Sequence, residues 1–130
     1  MLELKRMSMT RIVASPAALD EADFGDNLSF RVAADEVYVM ADISPNAIAD
    51  AHAIFSYEAS LAGLWLSARD GLHFLDHECP FELPKFGPAF VQGMIAHLPV
   101  KLYIEGEQML IMTPAPFAHE LGHKIREVLA

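Results

Sequence analysis

The chain has one cysteine, Cys79, so an intrachain disulfide framework is excluded and nothing in the sequence demands an oxidising compartment. It is poor in positive charge, with nine Lys and Arg against eighteen Asp and Glu. The resulting net charge of −9 disfavours long-range attraction to a phosphate backbone or an anionic membrane surface, so neither nucleic acid nor membrane is expected as a partner. No uninterrupted apolar stretch reaches membrane-spanning length. Behind Lys5 and Arg6 there is no apolar run of the kind a signal peptide needs, and the expectation is a cytoplasmic protein. Glycine-rich phosphate loops, a nucleophile elbow and paired carboxylates at catalytic spacing are all missing, so the chain offers no catalytic or cofactor-binding residues from pattern alone.

What is present is apolar side chain. Hydrophobic residues make up 53% of the 130 and charged residues 21%. A domain of this size buries about two-thirds of its unfolded surface. An apolar excess beyond that capacity belongs at an interface, with partner chains or between copies of the isolated chain.

The pattern along the chain predicts an α+β fold, an antiparallel sheet with covering helices. Residues 1–27 mix Ser15-Pro16 with Asp20, Glu21 and Asp23 and read as an N-terminal arm, leaving 28–130 as a single domain. Residues 28–33 and 37–41 read as a hairpin around Ala34-Asp35-Glu36, and 53–57 and 61–66 as two further strands. Ser67 is a candidate N-cap for a helix over 68–77, which Pro80 stops. Residues 91–97, 100–104 and 109–112 form a three-stranded meander, with Glu105-Gly106-Glu107 as one of its turns. Phe117, Leu121, Ile125, Val128 and Leu129 then recur at helical spacing and predict an amphipathic final helix.

His119-Glu120-Leu121-Gly122-His123 is a literal H-E-x-x-H, which on a helix sets two imidazoles one turn apart with a carboxylate beside them. A small zinc hydrolase using His119, Glu120 and His123 is therefore one reading. Against it, the extended motif would need Gly and His where this chain has Arg126 and Leu129. At 100° per residue from Phe117, the apolar set spans about 0 to 120°, while the histidines fall at about 200 and 240°, away from the core. His73 and His77 share the same four-residue spacing. Cys79, with Asp76, Glu78 and Glu82 nearby, lacks the electropositive surroundings of a reactive thiolate and reads as a small packed residue.

The second half of the chain also resembles a known family. Cys79-Pro80-Phe81-Glu82-Leu83, a loop through Gly87-Pro88, then Leu98-Pro99-Val100-Lys101-Leu102-Tyr103, the Glu105-Gly106-Glu107 turn and a final amphipathic helix are similar in order and spacing to the gamma subunit of heterotetrameric sarcosine oxidase. The resemblance covers about residues 61–130. It implies a β2-αβ3-α unit like the folate-binding domain of aminomethyltransferase. It also implies a non-catalytic subunit docked on larger flavin-bearing chains that carry out oxidative demethylation of an amine. FAD, FMN, NAD and tetrahydrofolate would be held by those chains and none by this one. Cys79, Pro80, Phe81, Glu82, Leu83 and Phe86 would belong to the docking loop. A stand-alone folate- or pterin-binding module is the alternative within the same fold, although no residue here matches a folate-binding carboxylate.

Overall fold

The structure, a computed structural model, describes residues 2–80, 82–84 and 88–130. In chain order its elements are β1 (Lys5–Arg6), β2 (Met9–Val13), α1 (Pro16–Glu21), β3 (Ser29–Ala33), β4 (Glu36–Val39), β5 (Ile54–Glu58), β6 (Leu61–Ser67), α2 (Ala68–Glu78), β7 (Ala89–Ile95), β8 (Leu98–Glu105), β9 (Gln108–Pro114) and α3 (Ala118–Leu129). Among the described residues the fold is α+β, with two antiparallel sheets and three α-helices, and the chain divides into two compact units. The smaller unit is Ser8–Ala59; the larger combines the residues up to Met7 with Ser60–Ala130.

The larger unit is a five-stranded sheet in the order β1-β6-β9-β8-β7. Its chain order is strand, strand, helix, three strands, helix. Because side chains alternate along a strand, the register decides what meets what. Leu64, Ile111, Leu102 and Val91 lie opposite one another across four strands and join one core with Phe74 and Leu75 of α2 and Leu121 and Ile125 of α3. Trp65, Leu110, Tyr103 and Phe90 occupy the other face of the same strands. The Trp65 and Tyr103 rings meet edge to face, their centroids 6.5 Å apart.

Helix α2 begins and ends for the reasons the sequence suggested. The Ser67 hydroxyl accepts from the Asp70 backbone N–H at 3.1 Å, with the Asp70 carboxylate in the positive first turn. The Cys79 N–H donates the last bond to the Leu75 carbonyl, and Cys79 is extended (φ −95°, ψ 119°) ahead of Pro80. The β7–β8 hairpin turns on Ala96 and His97, with φ of 55° and 64°. No glycine or asparagine marks it, so the turn is held from outside: the Ala96 N–H donates to the Glu78 carbonyl at 3.1 Å, and the Lys124 ammonium donates to the Ala96 carbonyl.

The smaller unit is a four-stranded sheet in the order β3-β4-β2-β5. Ile12, Val37 and Val39 pack with Ala18 and Leu19 of α1 in its core. Ser15 caps α1 by accepting from the Ala18 N–H at 3.2 Å, and Pro16 takes a first-turn position where its missing N–H costs nothing. The Asp50 carboxylate accepts from the Ser15 and His52 N–H groups at 2.8 and 2.9 Å, which holds it below its ordinary pKa.

The predicted hairpin, the strands at 53–57 and 61–66, the helix over 68–77, the meander and the terminal helix are all present within a few residues. The expectation of an arm over 1–27 and a single domain over 28–130 is corrected. Residues 1–27 hold β1, β2 and α1, and β2 is an interior strand paired on both sides, with β4 and with β5. Only Met9 and Ile12 of β2 are fully buried, so five residues give too short an alternation to stand out, and the Ser15-Pro16 pair taken as loop punctuation is a helix start. Among the described residues, no helix is long and apolar enough to cross a membrane.

Candidate functional site

After α2, Cys79 and the described residues Glu82, Leu83 and Pro84 wall a groove of about 720 Å³ in the larger unit. Leu75 and Met109 line it from below and are almost wholly buried, at 2% and 0% exposure. Leu72 from α2, Ile104 from β8 and Leu83 from the segment line its sides. Leu72 is 47% exposed, although the helix face behind it is fully packed. Asp76 and Glu82 bring two carboxylates to the same groove; both side chains are exposed, and neither makes an ion pair or hydrogen bond to a described residue. Among the described residues that line it there is no Lys or Arg.

Cys79, half-buried and the lone thiol, lines this groove and also a second hollow of about 580 Å³ shared with His77, Pro80, Met94 and His97. Of the residues expected in the docking loop, Cys79, Glu82 and Leu83 thus meet in the groove, and Pro80 sits at the neighbouring hollow. Phe81 and Phe86 lie outside the described residues. Leu72, Asp76, Ile104 and Met109 were missed as site residues. They come from three elements and converge only once the sheet and α2 are packed, so no local pattern marks them.

The histidine motif lies elsewhere on the larger unit. His119, Glu120 and His123 are all exposed on α3. The Glu120 carboxylate pairs with Lys124 at 3.5 Å, and His123 Nε2 faces Glu127 Oε1 at 3.2 Å, both one turn along the same helix. On α2, the His77 ring nitrogen Nδ1 bonds the His73 carbonyl at 3.0 Å, and the two rings are 5.0 Å apart and steeply inclined. Among the described residues, no three His, Cys, Asp or Glu groups converge as a metal ion would need. Tyr103, on the opposite sheet face, donates to Glu105 at 2.9 Å; burial, and then this bond, raise its pKa above the ordinary phenol value.

No family model matches the sequence, and no match appears among curated proteins. A solved structure does match. The heterotetrameric sarcosine oxidase from Corynebacterium sp. U-96, in complex with pyrrole 2-carboxylate, contains a chain that superposes with a TM-score of 0.73 at 18% sequence identity. The match covers 96% of this chain and 82% of that one. At that identity the likeness is one of fold, and it spans both compact units: the chain is folded like a subunit of a heterotetrameric oxidase.

Proposed function

We propose that this chain is a non-catalytic, gamma-type subunit of a sarcosine-oxidase-type complex, in which larger subunits hold FAD, FMN, NAD and tetrahydrofolate and oxidatively demethylate an amine. The observation that carries the reading is the fold likeness over 96% of the chain to one chain of such an oxidase. The resemblance of residues 61–130 to the gamma-subunit pattern supports it independently, because it rests on residues and their order and not on backbone shape. The order of elements in the larger unit also matches the β2-αβ3-α arrangement expected for a folate-binding-domain-like fold. The unpaired apolar groove beside the Cys79 segment gives the chain a surface suited to being gripped.

The chain acts by packing. Its acidic surface keeps the free subunit soluble, and its exposed apolar positions become interface in the assembly. Co-expression with the large oxidase subunits, followed by purification through a tag on this chain, tests the assignment. The flavin-bearing chains co-purify in fixed proportion if it is right. An oxidase that assembles and turns over fully without this chain refutes it. Calorimetry of the isolated chain with tetrahydrofolate separates this role from that of a folate-binding module, for which saturable heat would be seen.

A further inference from the structure

We propose that His73 and His77 on α2 form a two-imidazole site for a late first-row divalent metal ion of the Ni2+, Cu2+ and Zn2+ class, with water completing the ion's shell. The proposal goes beyond the subunit reading and does not depend on it. The two side chains stand one turn apart on the helix, both exposed, with ring centroids 5.0 Å apart. With metal–nitrogen bonds of about 2.1 Å, each ring centroid lies about 3.2 Å from a shared ion, so two imidazoles at an angle of about 90–110° stand about 4.5–5.2 Å apart. The observed separation falls within that window.

The hydrogen bonding fixes what the pair presents. His77 Nδ1 bonds the His73 carbonyl at 3.0 Å, and a carbonyl only accepts, so in the neutral ring Nδ1 carries the proton and Nε2 keeps its lone pair for a metal. Metal-ligating imidazoles are oriented in this way, the second nitrogen donating to a carbonyl. His73 needs only a turn about χ2, a broad torsion, to aim a nitrogen at the same point, and its exposure leaves room for that turn. Asp70 and Asp76 line one hollow with His73 and favour a cation there, with Arg69 partly offsetting them. Among the described residues no third His, Cys, Asp or Glu converges on the pair, so the ion's other positions go to water. Two imidazoles without a carboxylate suit a late transition metal and not Ca2+ or Mg2+, which take oxygen ligands. The α3 pair differs, because His123 Nε2 already faces Glu127 Oε1 at 3.2 Å.

The test titrates the untagged full chain with Ni2+ by calorimetry, comparing the wild type with His73→Ala, His77→Ala and the double variant His119→Ala/His123→Ala. Wild type and the α3 double variant bind one ion per chain with equal affinity. Each α2 variant loses at least about tenfold, because two linked imidazoles act as a chelate and one does not. Ni2+ raises the thermal midpoint of the wild type and leaves that of His77→Ala unmoved, as a ligand held only by the folded helix does. His73→Gln and His77→Gln, which keep a polar side chain at these exposed positions, show the same loss of affinity with unchanged circular dichroism.

Absence of saturable Ni2+ binding by the wild type overturns the proposal. Wild-type affinity in the single α2 variants also overturns it and means an adventitious ion only, held by one histidine or elsewhere on the chain. If binding is lost in His119→Ala/His123→Ala and kept in the α2 variants, the ion belongs to α3 and the proposal is wrong.

Discussion

The Arg126 guanidinium donates to the Leu2 carbonyl at 2.7 Å, tying the last helix to the first residues of the chain across a separation of 124 positions. This bond is part of what makes the N-terminal stretch a piece of the larger unit, together with the β1–β6 pairing of Lys5 with Gly63 and Arg6 with Ala62. Arg126→Ala leaves the partly buried carbonyl without its donor. A loss of about 1–2 kcal/mol is expected in urea unfolding, in the range for a hydrogen bond to a charged group that water partly replaces. An unchanged midpoint would show that the first strand is held by its sheet pairing alone.

Gly71 sits inside α2, where alanine would ordinarily stabilise the helix by about 1 kcal/mol. Here a Cβ would lie 2.7 Å from Met109 Sδ and 3.1 Å from its Cε, so the end of this wholly buried side chain would have to shift. Overpacking of a core costs about 1–3 kcal/mol, so the steric term exceeds the helical gain. Gly71→Ala should lower stability by about 1 kcal/mol, measured by thermal or denaturant unfolding; a stabilised variant would mean that Met109 repacks without cost.

The β7–β8 turn predicts the opposite sign. His97 is exposed and takes φ of 64°, a left-handed conformation that disfavours any residue with a Cβ. His97→Gly relieves that strain and should raise stability by about 0.5–1 kcal/mol, read from the same unfolding curves. A loss would show that the imidazole makes a stabilising contact in the turn.

These three positions also show what could be read from the sequence and what could not. The Ser67 cap, the stop at Pro80, the spacing of Leu121 and Ile125 and the Glu105-Gly106-Glu107 turn are local signals, and each marks its element correctly. The Ala96-His97 turn carries no such signal because its conformation is imposed by Glu78 and Lys124, which are distant in sequence. Strand β2 escaped because its partners, β4 and β5, come later in the chain, and a five-residue strand with two buried positions has little alternation of its own. The groove is legible only in part: Cys79, Glu82 and Leu83 are contiguous and were picked out, whereas Leu72, Ile104 and Met109 reach it through tertiary packing.

Asp50 gives the smaller unit a defined acid sensitivity. Its carboxylate is stabilised in the charged form by the Ser15 and His52 N–H groups, so its folded pKa lies below the ordinary value of 3.8. A depressed carboxylate contributes stability that is fully present above the unfolded pKa and is lost as pH falls through the folded one. Urea midpoints followed from about pH 5 to about pH 2 should therefore decline in the wild type and decline less in Asp50→Asn, which has no charge to lose. Parallel curves for the two proteins would contradict this role.

The central claim is that the chain exists to be held by larger subunits, and native mass spectrometry of the complex drawn from cells expressing the full set of oxidase chains tests it most directly. The account predicts one copy of this 14.3 kDa chain within an assembly that carries visible flavin absorbance, and loss of that assembly when the chain is omitted. A 14.3 kDa species free of partners, alongside an intact and fully active flavoenzyme, would contradict it.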